Sequence, residues 1–437
     1  MIGNDRSVTR ESTHRLRALV PAAVALSLLI TPAVASAQQD ASPRACFDPA
    51  APLSVEEQRL DDVLVAGGPA VGPELVRLAG FTASVERFTE RLCATPSARA
   101  AKQLVSSTGA DLWKAAVKRA QSTQTTWDAY DDRPLYWARL HLTKALRQWT
   151  PRTAISAADR AALVESVDRT SRGVTDVRFP AQPGVRKIVV TGFDPFQLQG
   201  TSVRRGNPAG AAALQLDGKV FDTPEGKVVV QAAVLPVLWG AFDEGIVEAV
   251  YGTALKAQVK PDAFVTISQG RPGRFDVERW ASRWRGGFPD NNDASSRGAV
   301  PDAAGWPQPS TEFIETTLPF QKMIDAGTGP FTVQLNRSFC EWPVGSVPGT
   351  GTMSCRSDEP TPGAAAASGG GGDYLSNESM YRANRVRTGL GATTVLGGHL
   401  HTPVLTQPVD PAALTDAAFE AQRRDIANQA VALVGVV

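Results

Sequence analysis

A serine, two histidines and a glutamate lie in three segments that could together form a hydrolytic site. Ser376 follows four consecutive glycines, residues 369–372, and precedes a segment with a helical pattern. A turn that presents a small nucleophile at the start of a helix is a common way to build a reactive side chain. His399 and His401 follow further along the chain, and Glu278 precedes the serine. A nucleophile, a histidine and an acid are the members of a catalytic triad.

The elements that must position these residues read as alternating strands and helices from about residue 181 onward. Short apolar runs predict strands at 187–190, 228–235, 263–267, 331–335 and 393–396. Helical segments lie between several of them, so the pattern predicts an α/β sandwich with a largely parallel sheet. Ligands bind beyond the carboxyl ends of such strands. Phe193, Phe196, Gln269, Glu278 and the two histidines all lie in segments that leave predicted strands.

The N-terminal part of the chain differs in pattern. Residues 38–180 have helical periodicity, and Ser54-Val55-Glu56-Glu57 is a capping box. Residues 171–184 carry prolines and a glycine and are interpreted as a linker. We therefore predict an all-α domain with its linker at 38–180 and an α/β domain at 181–437. Residues 341–372, rich in Gly, Pro, Ser and Ala, are predicted to be an insertion in the second domain.

The first 37 residues are typical of a secretory signal peptide. Several arginines precede the apolar run at 18–30, and Ala35-Ser36-Ala37 is a small-x-small cleavage site. The apolar run is shorter than the roughly 20 residues of a membrane-spanning helix. The sequence thus predicts a secreted, extracellular protein without a membrane anchor after cleavage. A formal net charge of +1 over 437 residues gives no indication of a nucleic-acid partner.

The predicted export makes disulfide bonds the expected state of the four cysteines. An even number of cysteines in an oxidising compartment predicts two disulfides. Three pairings are possible, and we favour Cys46–Cys93 and Cys340–Cys355 because each pair lies within one predicted domain. No Cys-x-x-Cys pair or cysteine–histidine cluster is present, and no Gly-Lys-Ser/Thr follows the glycine run. We expect neither a metal nor a cofactor.

An ordered set of motifs resembles the pyroglutamyl peptidase I family of cysteine peptidases over roughly residues 186–405. The motifs, in chain order, are VVTGFDPF at 189–196 with Asn207-Pro208 downstream, LPVLWG at 235–240, SQGRPGRFDVER at 268–279, FPDN at 288–291, TTLP at 316–319, GDYLSN at 372–377 and HTP at 401–403. The resemblance does not include residues 38–180.

This resemblance implies a three-layer αβα sandwich and a peptidase that removes N-terminal pyroglutamate from peptides. It implies that Glu278 is the catalytic acid and that His401, rather than His399, is the catalytic histidine. The pocket phenylalanines and the substrate-binding glutamine of the family correspond to Phe193, Phe196 and Gln269.

The chain departs from the family at the nucleophile, where Ser376 replaces the cysteine. A thiol is readily ionised beside a histidine, whereas a hydroxyl needs a base that acts during attack. Two hypotheses follow. The chain is a secreted hydrolase acting through Ser376, His401 and Glu278, or it is an inactive homologue that binds a pyroglutamyl or similar small ligand or a protein partner. A structural or interaction role of the helical domain is a third hypothesis, and the oligomeric state stays open.

Overall fold

The computed structural model describes residues 45–223 and 226–437 of the chain. The predicted signal peptide and its cleavage site lie outside the described residues. Residues 45–437 belong to one compact unit. Within the described ranges, no helix has both the length and the apolar character needed to cross a membrane.

Helices make up the N-terminal part, as predicted. They are α1 Val55–Gln58, α2 Val71–Leu78, α3 Thr82–Ala94, α4 Ala98–Ala120, α5 Arg133–Gln148 and α6 Ala157–Ser171. The predicted capping box is present at α1, where the Ser54 side chain accepts from Glu57 N–H and the Glu57 side chain accepts from Ser54 N–H. The later helices are α7 Pro208–Leu216, α8 Trp239–Asp243, α9 Ile246–Lys256, α10 Phe320–Asp325, α11 Leu375–Gly389 and α12 Ala417–Val436.

The strands of the second part form one seven-stranded sheet and smaller sheets beside it. They are β1 Val185–Phe193, β2 Val220–Thr223, β3 Gly226–Leu235, β4 Ala263–Gln269, β5 Arg274–Glu278, β6 Trp280–Ser282, β7 Trp284–Gly286, β8 Arg297–Ala299, β9 Phe313–Glu315, β10 Thr332–Asn336, β11 Phe339–Trp342, β12 Ser354–Arg356, β13 Ala365–Ser368 and β14 Leu396–Thr402. The large sheet has the order β10-β5-β14-β4-β1-β3-β2. Its pairs are parallel except β5–β14 and β2–β3.

Alternate side chains of the sheet enter two separate cores. Ile188 and Val190 pack in a core with α7, α12 and the N-terminal helices. Val189 and Phe193, on the opposite face of β1, pack with α8, α9 and α11. Helices therefore cover both faces of a mostly parallel sheet. The predicted αβα sandwich, preceded by a helical region, is confirmed.

The predicted strand at 393–396 is wrong in its bounds, because the strand observed there is β14. His399 and His401 consequently lie inside a central strand and not in a loop after it. Two adjacent glycines, Gly397 and Gly398, are typical of a loop, but here both lie in β14. Glycine is needed at these strand positions because Phe264 and Thr316 pack directly on the backbone. A Cβ at Gly397 would lie 2.2 Å from Phe264 Cζ, and one at Gly398 would lie 2.1 Å from Thr316 Oγ1.

Both predicted disulfides are present in the described chain. Cys46 is bonded to Cys93 in the helical part, and Cys340 is bonded to Cys355. The predicted insertion contains most of a small antiparallel sheet in the order β12-β11-β13, and the second disulfide joins facing residues of β11 and β12. Disulfides persist in oxidising compartments, which indicates an extracytoplasmic protein.

Candidate active site

Ser376 lies in the first turn of α11, and the turn before it depends on glycine. Gly369 and Gly372 exchange two backbone hydrogen bonds of 2.9 and 3.0 Å, which closes the four glycines into a tight hairpin, the glycine loop (residues 369–372). Gly372 has φ of +84°, a conformation that residues with a Cβ rarely adopt. Tyr374 then takes the extended N-cap conformation. The loop thereby brings the half-buried Ser376 to the helix start.

The first turn of α11 is anchored by Asn377. Its side-chain oxygen accepts from Ser282 N–H at 2.8 Å, and its amide donates to Ser282 O at 2.9 Å. No described residue accepts a hydrogen bond from the backbone N–H groups of residues 375–377. Free N–H groups at a helix N-terminus can stabilise a negative charge. Such donors beside Ser376 have the chemistry of an oxyanion hole.

The glycine loop packs its backbone directly on the acid and the histidine. A Cβ at Gly370 would lie 2.0 Å from Glu278 Oε2. A Cβ at Gly371 would lie 3.3 Å from His401 Cε1 and 3.3 Å from the backbone nitrogen of Asn377. The imidazole of His401 and the helix turn that carries Ser376 therefore share one contact point. Side chains on the loop would separate them.

His401 and Glu278 form a buried pair. His401 Nδ1 lies 2.7 Å from Glu278 Oε1, and the two residues are 5% and 0% exposed. The other carboxylate oxygen accepts from Asn336 Nδ2 at 2.7 Å, and the same amide donates to Gly370 O at 3.0 Å. Asn336 thus ties the acid to the glycine loop. Because the carboxylate engages Nδ1, Nε2 is the ring nitrogen available for proton transfer.

Ser376 and His401 are not hydrogen-bonded to each other. In the part of the chain that the structure describes, no hydrogen bond joins Ser376 Oγ to a ring nitrogen of His401. Contacts between a nucleophile and its base are often loose without substrate. The structure therefore brings Glu278 and His401 together directly, and brings Ser376 to them through the shared contact at Gly371.

His399 is adjacent to this pair but is committed to other partners. Its Nδ1 lies 2.7 Å from Thr266 Oγ1 and its Nε2 lies 2.8 Å from Ser268 Oγ. Burial, together with the neighbouring His401, holds the pKa of His399 well below its usual value. The ring is neutral and both nitrogens are occupied. Of the two histidines, His401 is the one free to serve as a base.

The side chains expected to bind substrate line one cavity beside the serine. Phe193, Phe196, Gln269 and Ser376 line one small cavity, here named the ring pocket. Tyr374 and Leu375 from the helix start also line it, as do Asn207, Val237 and Ser268. Gln269 Oε1 accepts from Leu405 N–H at 3.0 Å. This bond orients the amide so that its NH₂ group is the free end. The ring pocket combines the apolar side chains of Phe193, Phe196, Val237 and Leu375 with polar groups that include Gln269 and Ser376.

No described group of three or more His, Cys, Asp and Glu side chains is arranged to hold a metal ion. The chemistry available at this site is that of the serine, the histidine–glutamate pair and the helix N-terminus.

Comparisons with known proteins identify the family. Residues 35–168 match the family model described as the PA0049 N-terminal domain. Residues 187–308 and 342–406 match the model described as the PA0049 C-terminal domain. The protein named "Uncharacterized protein PA0049" of Pseudomonas aeruginosa is 31% identical, and the match extends over 92% of each chain. The chain belongs to the PA0049 family. Among solved structures, pyroglutamyl peptidase I of Bacillus amyloliquefaciens matches with a TM-score of 0.37 and 18% identity, over 57% of this chain and 97% of that one.

The helical region of this PA0049-family chain holds the loop that forms the ring pocket. Asp194 lies between Phe193 and Phe196 and is 2% exposed. Its carboxylate accepts from Arg139 of α5 at 3.0 Å and from Arg172, just after α6, at 2.5 Å. Both arginines are buried. A buried carboxylate between two buried guanidinium groups fixes the loop against the helices.

Further contacts complete this clamp on residues 194–196. Asn291 donates to Pro195 O at 2.9 Å and to Glu56 Oε1 at 3.0 Å. Tyr136 of α5 donates to the same Glu56 oxygen at 3.0 Å. Asn207, which lines the ring pocket, donates to Asp194 O at 3.0 Å. The regions matched by the two PA0049 family models therefore meet at the loop between Phe193 and Phe196.

Several of these residues were not predicted from the sequence. Asn336 is the last residue of β10 and directly follows the strand predicted at 331–335. A polar residue at the carboxyl end of a strand could have indicated a site residue. Asn207 and Asn291 lie in the quoted motifs. Asn207-Pro208 predicts a helix start, and Asn207 is the N-cap of α7, but the sequence does not indicate the contacts of either asparagine at the site. Arg139 and Arg172 gave no signal, because a helical arginine is usually solvent-exposed and their partner is distant in sequence.

Gly370→Ala is expected to destabilise the protein by about 1–3 kcal/mol, the usual cost of inserting a group into a packed interior. The new methyl would meet Glu278 Oε2 at 2.0 Å, so the buried carboxylate or the loop must move. Urea unfolding of the two proteins measures the change. Gly240→Ala is the matched control because nothing lies within 4 Å of its added Cβ. Equal stability of both variants would contradict the close packing of the glycine loop.

Glu56 is expected to make stability depend on pH. Burial and the nearby charge of Asp194 raise its pKa from 4.5 to about 7. Folding therefore favours the protonated carboxyl, and this stabilising contribution is full below pH 4.5 and lost as pH rises through 7. Glu56→Gln, always neutral, should match the wild type at pH 4.5 and exceed it at pH 8 by up to about 3 kcal/mol. Urea unfolding at both values tests this, and a stability difference independent of pH would refute it.

Proposed function

We propose that this protein is a secreted pyroglutamyl-peptidase-like hydrolase that removes N-terminal pyroglutamate with a serine nucleophile. The observation that carries the proposal is the buried His401–Glu278 pair, with Nδ1 and Oε1 2.7 Å apart. This pair contacts the glycine loop that delivers Ser376, and Ser376 opens into an apolar pocket. The ordered motifs of the sequence support the same reading.

The ring pocket suits a pyroglutamyl group. The pyroglutamyl ring is small, flat and uncharged, with one N–H and one carbonyl to satisfy. Phe193 and Phe196 offer aromatic faces for the ring, and the free NH₂ of Gln269 offers a donor for the lactam carbonyl. A substrate held in this way would present the carbonyl of its pyroglutamyl residue to Ser376.

The chemistry begins with acyl transfer to the serine. Ser376 Oγ attacks the substrate carbonyl carbon while His401 Nε2 takes the hydroxyl proton, and Glu278 holds the resulting imidazolium through Nδ1. The free N–H groups at residues 375–377 stabilise the charge on the carbonyl oxygen. The C–N bond then breaks, and His401 gives its proton to the departing amine. Water, activated by His401, cleaves the acyl ester and restores the serine.

An assay of the purified mature chain on a pyroglutamyl chromogenic amide tests the proposal. Release of the chromophore is expected from the wild type. Ser376→Cys should raise kcat/KM, since a thiol is the stronger nucleophile and the surrounding motifs resemble a thiolate site. A lower rate in Ser376→Cys would mean that the site has been adapted to serine. No release by either protein would refute the hydrolase.

A ligand-binding protein without turnover is the second candidate. The observation that favours it is the lack of a hydrogen bond between Ser376 Oγ and His401 among the described residues. Equilibrium binding of pyroglutamyl amide with no release of product would establish this candidate in place of the hydrolase.

A further inference from the structure

A second cavity adjoins the candidate active site at the glycine loop. It is open to solvent and is here named the arginine cleft. Its walls include Arg271, Phe339, Arg356, the Cys340–Cys355 disulfide and Gly370. The insertion that carries the disulfide therefore forms one wall of this cleft.

The arginine cleft is in direct contact with the proposed catalytic pair. Gly370 lines the cleft, and the same residue packs on the carboxylate of Glu278. Arg271 Nη1 lies 3.7 Å from Glu278 Oε1. The ring pocket, in contrast, is lined by residues 374–376 just after the loop. The segment 369–376 thus contributes to both cavities, because its glycines line the arginine cleft and Ser376 lines the ring pocket.

The charged side chains that line the cleft are both arginines. The side chains of Arg271 and Arg356 are 41% and 35% exposed. Arg271 is bonded through Nη1 to the buried Asp276 at 2.9 Å, while its Nε and Nη2 donate to no described residue. Arg356 is paired with Glu341 and Asp358, neither of which lines the cleft. Arg356 Nε and Nη2 donate to Asp358, and its Nη1 donates to Glu341 and Thr361. The free guanidinium donors of the cleft therefore belong to Arg271, and no described carboxylate lines the cleft.

We propose that the arginine cleft binds the residue that follows pyroglutamate in the substrate and prefers a carboxylate there. This rests on the proposed function, since it places the scissile amide at Ser376 and the ring in the ring pocket. The rest of the peptide must then leave past the glycine loop toward the cleft. A guanidinium group pairs well with a carboxylate, which can come from an acidic side chain or from the C-terminus of a dipeptide.

Calorimetric binding to the full mature chain carrying Ser376→Ala tests this preference without turnover. The probes are pyroglutamyl-glutamyl amide, pyroglutamyl-glutaminyl amide, pyroglutamyl-lysyl amide and pyroglutamyl-glutamine with a free C-terminus. The glutamyl amide should bind about three- to fivefold more tightly than its glutaminyl isostere, as expected for one exposed ion pair, and the lysyl amide most weakly. Tighter binding of the free-acid dipeptide than of its amide would identify the α-carboxylate as the source.

Arg271→Gln should remove the preference for the glutamyl probe. Arg274→Gln is the matched control, because Arg274 also bonds Asp276, at 3.1 Å, but does not line the cleft. Equal affinity for the glutamyl and glutaminyl amides, with no tighter binding of the free-acid dipeptide, would overturn the proposal, and so would loss of the preference in both variants. Wild-type turnover without any charge preference would refute the cleft but leave the hydrolase. A charge preference in binding without turnover would refute the hydrolase and support the cleft.

Discussion

His401→Ala is expected to lower kcat/KM for a pyroglutamyl amide by at least about a thousandfold. The variant removes the proposed general base, which contacts the loop before Ser376, and it leaves Glu278 without its imidazole partner at 2.7 Å. Ser376→Ala should have an effect of similar size. Because the proposed mechanism has the two residues act in the same step, the double variant should be little worse than either single one. Steady-state kinetics of the three proteins measure this.

His399→Gln is the control for this experiment. The amide can keep a hydrogen bond to Thr266 or Ser268, the partners that His399 now has at 2.7 and 2.8 Å. Its activity should stay within about tenfold of the wild type, because both ring nitrogens of His399 are already engaged by Thr266 and Ser268. A severe loss in His399→Gln with an active His401→Ala would reverse the assignment of the base.

The choice between these histidines shows how far the sequence alone could go. His399 and His401 are two positions apart on one strand, so both side chains lie on the same face of the sheet. Spacing cannot separate them, and the family resemblance favoured His401. Only the three-dimensional structure explains why, since Thr266 and Ser268 of β4 occupy both nitrogens of His399.

The strand that carries Glu278, β5, was not predicted because of the residues that precede it in the sequence. The segment Arg274–Glu278 alternates charged and apolar residues, which is the pattern of a strand with one buried face. Two glycines and a proline just before it made the whole stretch resemble a loop. By contrast, the helix start at Ser376 was predictable, because a glycine turn before a helical pattern is a local signal.

The clamp on the ring pocket could not be predicted because its members are distant in sequence. Arg139, Arg172 and Asp194 come from a helix, the end of another helix and a strand exit. Each is an ordinary charged residue in its local segment. Only the packing of the helical region on the α/β part buries all three and makes them partners. This packing also gives the helical region a specific task, which is to hold the Phe193–Phe196 loop.

Asp194→Ala is expected to destabilise the protein by about 3–5 kcal/mol, because it leaves two buried guanidinium groups without their carboxylate. Arg139 donates to both Asp194 oxygens at 3.0 Å and Arg172 donates to one of them at 2.5 Å. Urea unfolding measures the loss. The control is Asp222→Ala, which breaks the exposed pair with Lys227 and should change stability by less than about 1 kcal/mol.

A second substitution at Asp194 tests whether this residue shapes the ring pocket or only stabilises the fold. Asp194→Asn preserves the shape of the side chain but weakens its bonds to the arginines, so it should be less destabilising than Asp194→Ala. If Asp194 holds the loop between Phe193 and Phe196, the folded Asp194→Asn protein should bind a pyroglutamyl amide more weakly than the wild type does. Unchanged affinity in this variant, together with reduced stability, would show that the arginines stabilise the fold without shaping the ring pocket.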